Sequence, residues 1–248
     1  MTYCVAMVLD AGMIFASDSR TNAGVDHIGR FCKMRVFEQR DDRVIAIVGA
    51  GNLSITQNAV NLLEQRSRSL EWSQSIFTTE SMFEVASMLG DCLREVRRRD
   101  GPYLVQSNVD SSASFLVGGQ IGGERMRLFN VYAEGNFIEA TNETPYFQIG
   151  EMKYGKPIID RVVTSRTSLM DAAKCTLVSF DSTMRSNISV GLPIDLLVYE
   201  RDVLKIGVQR RIDETDAYFS AIHAKWGEGV KQLFTQLPNP HWDNENAF

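Results

Sequence analysis

Short β-rich runs and amphipathic helical stretches alternate along the chain. Tyr3–Leu9 and Met13–Ser17 flank Asp10-Ala11-Gly12, a turn signal that predicts a hairpin. Pairing about Ala11 sets Thr2 opposite Arg20 and brings Asp18 within two residues of Thr2 across the ladder, several Å away at about 3.4 Å rise per residue. A second hairpin, Lys33–Glu38 with Arg43–Gly49, turns on Gln39-Arg40-Asp41-Asp42, and counting outward pairs Lys33 with Val48. Gly49-Ala50-Gly51-Asn52 ends that strand. Asn52 or Ser54 then caps a helix running to about Arg66, with Leu53, Val60 and Leu63 inward.

From Glu80 to Arg99 the apolar positions Phe83, Ala86, Met88, Leu89, Cys92, Leu93 and Val96 recur at helical spacing, opposite an Arg-rich face. Its Arg97-Arg98-Arg99 end reads as a solvated, dipole-favourable terminus. Ala113–Gln120, Met126–Ala133 and Phe137–Ala140, separated by Gly122-Gly123 and Glu134-Gly135-Asn136, read as an antiparallel meander. Helical sequence follows Ile149-Gly150 and extends to about Arg185. It carries a capping box at Ser168 to Asp171 and an apolar stripe from Leu169 through Phe180 to Met184. Strands at Ile194–Tyr199 and Leu204–Gln209 precede a helix from Asp213 to about Gln236 and a polar tail at about 238–248.

Strands, a helix pair, strands, a helix pair and strands again, with antiparallel connections, predict layers rather than βαβ units. An α+β, four-layer αββα sandwich buries every one of these apolar stripes. The 248 residues contain neither a repeat nor an interdomain linker, so one domain spanning 1–248 is expected.

Composition narrows the function classes. Apolar residues make up 44% and charged residues 23%, enough to bury a core. Lys+Arg 26 against Asp+Glu 31 gives −5, which argues against nucleic acid as a partner, since phosphate binding needs a positive surface. The longest clean apolar stretches, such as Val44–Gly51, fall far short of the roughly 20 residues that span a bilayer. No basic residue precedes Tyr3–Leu9 and Asp10 interrupts it, so no export signal forms, and a soluble cytoplasmic protein is expected. Cys4, Cys32, Cys92 and Cys175 read as reduced thiols, and His27, His223 and His241 lack metal-ligand spacing, so neither metal nor cofactor is expected.

The chemistry converges near the N-terminus. Removal of an initiator Met before a small residue leaves Thr2 with a free α-amine beside its own hydroxyl. An N-terminal amine with a pKa of roughly 7.7–8.0 is a base available near neutrality, and a Thr hydroxyl needs one. The two hairpins gather Thr2, Asp18, Lys33 and the Val48–Gly51 turn at their open ends. A Lys ammonium there favours the neutral amine, Asp18 orients it, and the glycine turn offers backbone N–H groups to an oxyanion.

Thr2, the segment Ser17-Asp18-Ser19-Arg20-Thr21-Asn22-Ala23-Gly24, Lys33 and Gly49-Ala50-Gly51-Asn52 resemble the active-site framework of proteasome β-subunits. MTYCVAMVLDAG, FASDSRTNAGVDHI and IGEMKYGKPIIDR resemble more closely the Anbu family of bacterial proteasome homologues, over essentially the whole chain. The resemblance implies an N-terminal-nucleophile hydrolase of the αββα fold, a threonine peptidase or amidohydrolase working inside a ring or helical homo-oligomer. It implies Thr2 as nucleophile and base, Asp18 and Lys33 as electrostatic partners, and backbone amides of Gly49 and Ala50 as the oxyanion hole. Ser19, Arg20, Ser186 and Ser189 fall at supporting positions. The chain departs from the proteasome pattern in two places: Glu151 stands where a supporting Ser is expected, and Ser186 where a supporting Asp is expected. A single Met before Thr2 implies activation by Met removal rather than self-cleavage. A peptide or small amide is the implied substrate, and an ATPase partner stays open.

Two other readings compete. Gly49-Ala50-Gly51 before a helix mimics a dinucleotide fingerprint, but Ser54 replaces its third Gly and the flanking strands form hairpins. An assembly scaffold would keep the fold without activity, with Trp72, Phe77, Tyr218 and Trp226 as contact candidates, yet a pure scaffold has no chemical need for the Thr2–Asp18–Lys33 set. Cys4 reads as core or pocket wall, Asp26-His27 as surface, and Lys153-Tyr154-Gly155 as shaping the site or an interface.

Overall fold

A computed structural model of the chain describes residues 1–22, 28–68 and 75–240. Ala23, Gly24, Asp26-His27, Trp72 and the tail from residue 241 with His241 lie outside the described residues. One five-stranded antiparallel sheet has the order β10 (Tyr146–Gly150), β1 (Tyr3–Leu9), β2 (Gly12–Asp18), β11 (Ile194–Glu200), β12 (Val208–Ile212). A second has the order β5 (Met34–Gln39), β6 (Arg43–Gly51), β7 (Ala113–Ile121), β8 (Arg127–Val131), β9 (Phe137–Glu139). A small hairpin, β3 (Arg20–Asn22) with β4 (Ile28–Arg30), leaves the end of β2. Helices α1 (Leu53–Arg68) and α2 (Met82–Gln106) cover one outer face, and α3 (Lys156–Val162), α4 (Leu169–Ser186) and α5 (Ala217–Gln236) lie on the other side.

The strands alternate between two apolar environments. In β1, Tyr3, Val5, Met7 and Leu9 face the α3–α4 layer, while Cys4 and Ala6 face the opposing sheet. In β6, Ile45 and Ile47 pack under α1 and α2, while Val44, Ala46, Val48 and Ala50 meet the first sheet. Both faces of each sheet are therefore buried, which a two-sheet sandwich with outer helices requires. The expected four layers are present.

Several boundaries differ from the sequence expectation. The first hairpin pairs Cys4 with Ser17 and Leu9 with Gly12, one residue off, because its turn holds two residues rather than three. Gly12, whose Cβ would strike the Tyr199 carbonyl, continues the strand there. The second hairpin pairs Met34 with Val48, placing Lys33 beside Gly49, because a three-residue turn carries Asp41 at φ 63°. α2 runs through Pro102 to Gln106 and leaves Phe83 exposed, and β10 adds an edge strand beside β1. Residues 163–168 separate α3 from α4. The last strand begins at Val208 rather than Leu204, since Asp202 and Leu204 both take positive φ in the preceding turn. Asp213 precedes α5, and Asp216 caps it.

The local capping signals hold. Asn52 Oδ1 accepts from the Ser54 and Ile55 amides at 3.0 and 3.3 Å. Ser168 Oγ accepts from the Asp171 amide at 3.1 Å. On α5 only Phe219 is buried, and Trp226, Val230, Leu233 and Phe234 form an exposed apolar stripe at helical spacing. Tyr218 is also exposed, whereas Phe77 packs on the core beneath α1 and α2.

Candidate active site

Thr2 immediately precedes β1, and β10 anchors it: its carbonyl accepts the Glu151 N–H at 2.7 Å, extending the ladder in which Tyr3 faces Gly150. Gly150 has φ 81°, and a Cβ there would collide with the Thr2 carbonyl, so only glycine lets the strands approach this closely. Thr2 is 8% exposed.

The next residue links Thr2 to the charges. The Tyr3 amide donates to Asp18 Oδ1 at 3.1 Å, and Lys33 Nζ donates to the same oxygen at 2.8 Å and to the Arg20 carbonyl at 2.6 Å. The two charged side chains are 5% (Lys33) and 0% (Asp18) exposed. Burial pushes the Asp18 carboxyl above its ordinary range, while the Lys33 charge and the Tyr3 amide pull against that rise. The pair is thus mutually required: each charge is tolerable in this interior because the other is there.

The neighbouring residues hold this frame. The Ser19 hydroxyl and amide both donate to the Pro193 carbonyl, at 2.8 and 3.0 Å, and the Ser19 carbonyl accepts from Phe31. Arg20 Nη1 donates to the Ile188 carbonyl at 2.8 Å, and its guanidinium fills the space that a side chain on Gly191 would take. Ser186 is exposed at the end of α4 and shares a recess with Arg20, Gly191 and Glu214. The Ser189 amide donates to Asn187 Oδ1 at 2.9 Å. The Gly49 N–H donates to the Lys33 carbonyl at 3.1 Å, and Ala50 lies buried between the sheets.

Around Thr2, the sequence marks Glu151 only as a departure from the proteasome pattern and gives no sign of the partners that hold it or Tyr3. Glu151 is buried, with Oε2 accepting from Asn187 Nδ2 at 2.6 Å and Oε1 paired with Lys153 at 3.3 Å. Tyr3 is packed on Phe180, and its hydroxyl bonds Ser179 at 3.1 Å and takes a further bond from Gln148. These partners lie far apart in the chain, and neither periodicity nor a turn signal marks them. Cys4 Sγ donates to the Gly49 carbonyl at 3.5 Å, and burial pushes the thiol far above its ordinary range, so no thiolate competes as nucleophile.

A cavity of about 210 Å³ opens beside Lys33 and Gly49, walled by Arg35, by Leu53, Thr56 and Val60 of α1, and by Phe115. Leu53, expected inward, is half-buried and lines this space. Among the described residues no group of His, Cys, Asp and Glu is placed to hold a metal ion, and no helix is long and apolar enough to cross a membrane.

Solved structures resemble the chain over nearly its full length. Anbu (ancestral beta-subunit) from Yersinia bercovieri is 50% identical, covers 97% of this chain and 100% of its own, and superposes with a TM-score of 0.91. The helical assembly of the Anbu complex from Pseudomonas aeruginosa is 48% identical, with coverage of 96% and 98% and a TM-score of 0.92. An Anbu (Gly-1) mutant from Hyphomicrobium sp. strain MC1 is 45% identical, with coverage of 98% and 100% and a TM-score of 0.90. No protein-family model and no curated protein matches the chain.

Proposed function

This chain belongs to the Anbu family, and we propose that it hydrolyses peptide or amide bonds with Thr2 as nucleophile, inside an assembly of its own copies. One observation carries the reading. Thr2 is joined directly to Tyr3, whose amide donates to Asp18 of the buried Asp18–Lys33 ion pair. Such a pair is costly to bury and contributes little that an apolar pair would not, so its place beside a hydroxyl favours a chemical role over a structural one.

Removal of Met1 turns the Thr2 nitrogen from an amide into an amine. The amine takes the Thr2 hydroxyl proton, and Oγ attacks the substrate carbonyl carbon. Lys33 favours the unprotonated amine and stabilises the alkoxide, while Asp18 holds Lys33 charged. The negative charge that builds on the substrate oxygen falls to backbone N–H groups of the Gly49-Ala50-Gly51 segment. The Gly49 and Ala50 amides expected for this role do not converge on one oxygen: the Gly49 N–H is bonded to the Lys33 carbonyl, and neighbouring N–H groups of an extended strand point to opposite sides. The α-ammonium returns its proton to the departing nitrogen, leaving an ester on Thr2. Water then adds to that ester, its proton passing through the amine to Oγ as the acid leaves. Ser19 and Arg20 hold the Asp18 segment, Ser186 ends α4, and Ser189 belongs to the loop that Arg20 reaches. The reading needs no cofactor or metal, is compatible with a cytoplasmic location, and leaves an ATPase partner unassigned.

Self-assembly is supported by the helical assembly of the Pseudomonas aeruginosa relative and by the apolar stripe on α5. The same stripe favours a second reading, an assembly protein without catalysis. Intact mass after exposure to a peptide epoxyketone or β-lactone separates the two. Loss of Met1 with one adduct, absent in Thr2→Ala, is expected; a processed but unlabelled Thr2 favours the scaffold, and retained Met1 sinks the hydrolase mechanism.

A further inference from the structure

We propose that the cavity beside Lys33 and Gly49 selects a glutamate-like side chain of the substrate, with Arg35 as the residue that reads its carboxylate. The inference rests on Thr2 being the nucleophile, because it assigns the cavity to the residue whose carbonyl Thr2 attacks. Its lining contains two cations, Lys33 and Arg35, and no acidic residue. They are not equivalent. Lys33 is spent on buried Asp18 at 2.8 Å, whereas the Arg35 side chain is 58% exposed and its Nε lies 3.5 Å from Glu64 of α1.

So long a contact, on so exposed a side chain, lets Arg35 turn its guanidinium to an incoming carboxylate, which accepts two parallel N–H bonds in the favoured arrangement. Gln57 and Asn61, four residues apart and so on one face of α1, add amide groups to the same wall. Leu53, Val60 and Phe115 supply apolar surface for a methylene stem. A volume of about 210 Å³ is several times the roughly 30 Å³ share of one liquid water, room for a stem and its charged end. A lysine side chain would bring a third cation to a site with two, and a leucine would leave Arg35, Gln57 and Asn61 without a substrate partner.

The test uses the Met1-processed full-length assembly and four tripeptide epoxyketones that differ only in the side chain next to the electrophile: Glu, Gln, Leu or Lys. Rates of Thr2 modification are read by intact mass. The Glu probe is expected to react about 10- to 50-fold faster than the Lys probe, the range a charge-assisted pair supports. Arg35→Glu should reverse that order, Arg35→Met should collapse the Glu-over-Gln ratio, and Glu64→Gln, by releasing Arg35, should speed the Glu probe. All three substitutions are at side chains partly or largely in solvent, so folding is retained. Equal rates for Glu, Leu and Lys, or an order that survives Arg35→Glu, overturn the proposal while leaving Thr2 as nucleophile. If no probe modifies Thr2 in any variant, the hydrolase reading fails and this inference falls with it.

Discussion

Lys33 and Asp18 meet at 2.8 Å with both side chains almost wholly out of solvent, and among the described residues no other ion pair has both partners under a tenth exposed. The consequence is an asymmetry between breaking the pair and replacing it. Lys33→Met or Asp18→Asn alone strands a buried group and should cost about 3–5 kcal/mol. The double variant should recover much of that loss, yet Thr2 should stay unreactive in all three. Urea unfolding gives the stabilities, and a double variant as unstable as the sum of the singles would contradict this account.

Gly150 and Gly123 share φ 81° but differ in surroundings: a Cβ at Gly150 meets the Thr2 carbonyl, and one at Gly123 meets nothing within 4 Å. Gly123→Ala should therefore show only the left-handed backbone cost of about 1–2 kcal/mol. Gly150→Ala should lose at least twice as much and displace Thr2, abolishing its labelling. Thermal melts of the two variants side by side decide the matter.

Asn187 donates to the buried Glu151 carboxylate at 2.6 Å, so Asn187→Asp sets two carboxylates against each other. Like charges that close raise the folded-state pKa of one carboxyl above its unfolded value. The resulting destabilisation is full at neutral pH and fades as pH falls and that carboxyl protonates. A melting temperature that trails the parent at pH 7 and approaches it near pH 4 is the expected outcome of a pH series.

Glu139 is held below its ordinary carboxyl range by hydrogen bonds from Arg127, with Arg125 also pulling it down. A lowered folded pKa contributes stability above the unfolded value of about 4.5, and that contribution disappears as pH drops through the folded value. Arg127→Met should remove this part of the acid-side slope, at a cost near 1 kcal/mol or less at pH 7 because the pair is partly solvated. Melts between pH 3 and 7 measure the slope directly.

Exposed apolar side chains on α5 should matter to assembly rather than to folding. Leu233→Glu and Phe234→Glu are expected to leave the melting temperature of the isolated subunit nearly unchanged while lowering the mass of the assembly. Light scattering of both variants would reject this if the assembly kept its size.

Local chemistry was enough to read much of this molecule from its residues. Asn52 and Ser168 cap helices through bonds spanning two or three residues, and the alternation in Tyr3–Leu9 and Arg43–Gly49 marks strands whatever they pack against. The first hairpin places Asp18 near Thr2 for the same reason, since a short turn leaves little choice of partner, whereas Lys33 adjoins the other sheet and meets Asp18 only through the packing of the two sheets. Register was another matter, because each turn settles its length by contacts made from elsewhere. Gly12 enters β2 pressed against the Tyr199 carbonyl, and Asp41 takes a left-handed conformation whose amide bonds the Leu204 carbonyl. A one-residue slip moved Lys33 beside Gly49 and thereby occupied the amide expected for an oxyanion. Glu151 and Gly150 reach Thr2, and Asn187 reaches Glu151, only when β10 and the α4–β11 loop are folded onto β1. Residues more than a hundred positions apart meet there because two sheets and their helices close on one core, and no local pattern in a chain encodes that closure.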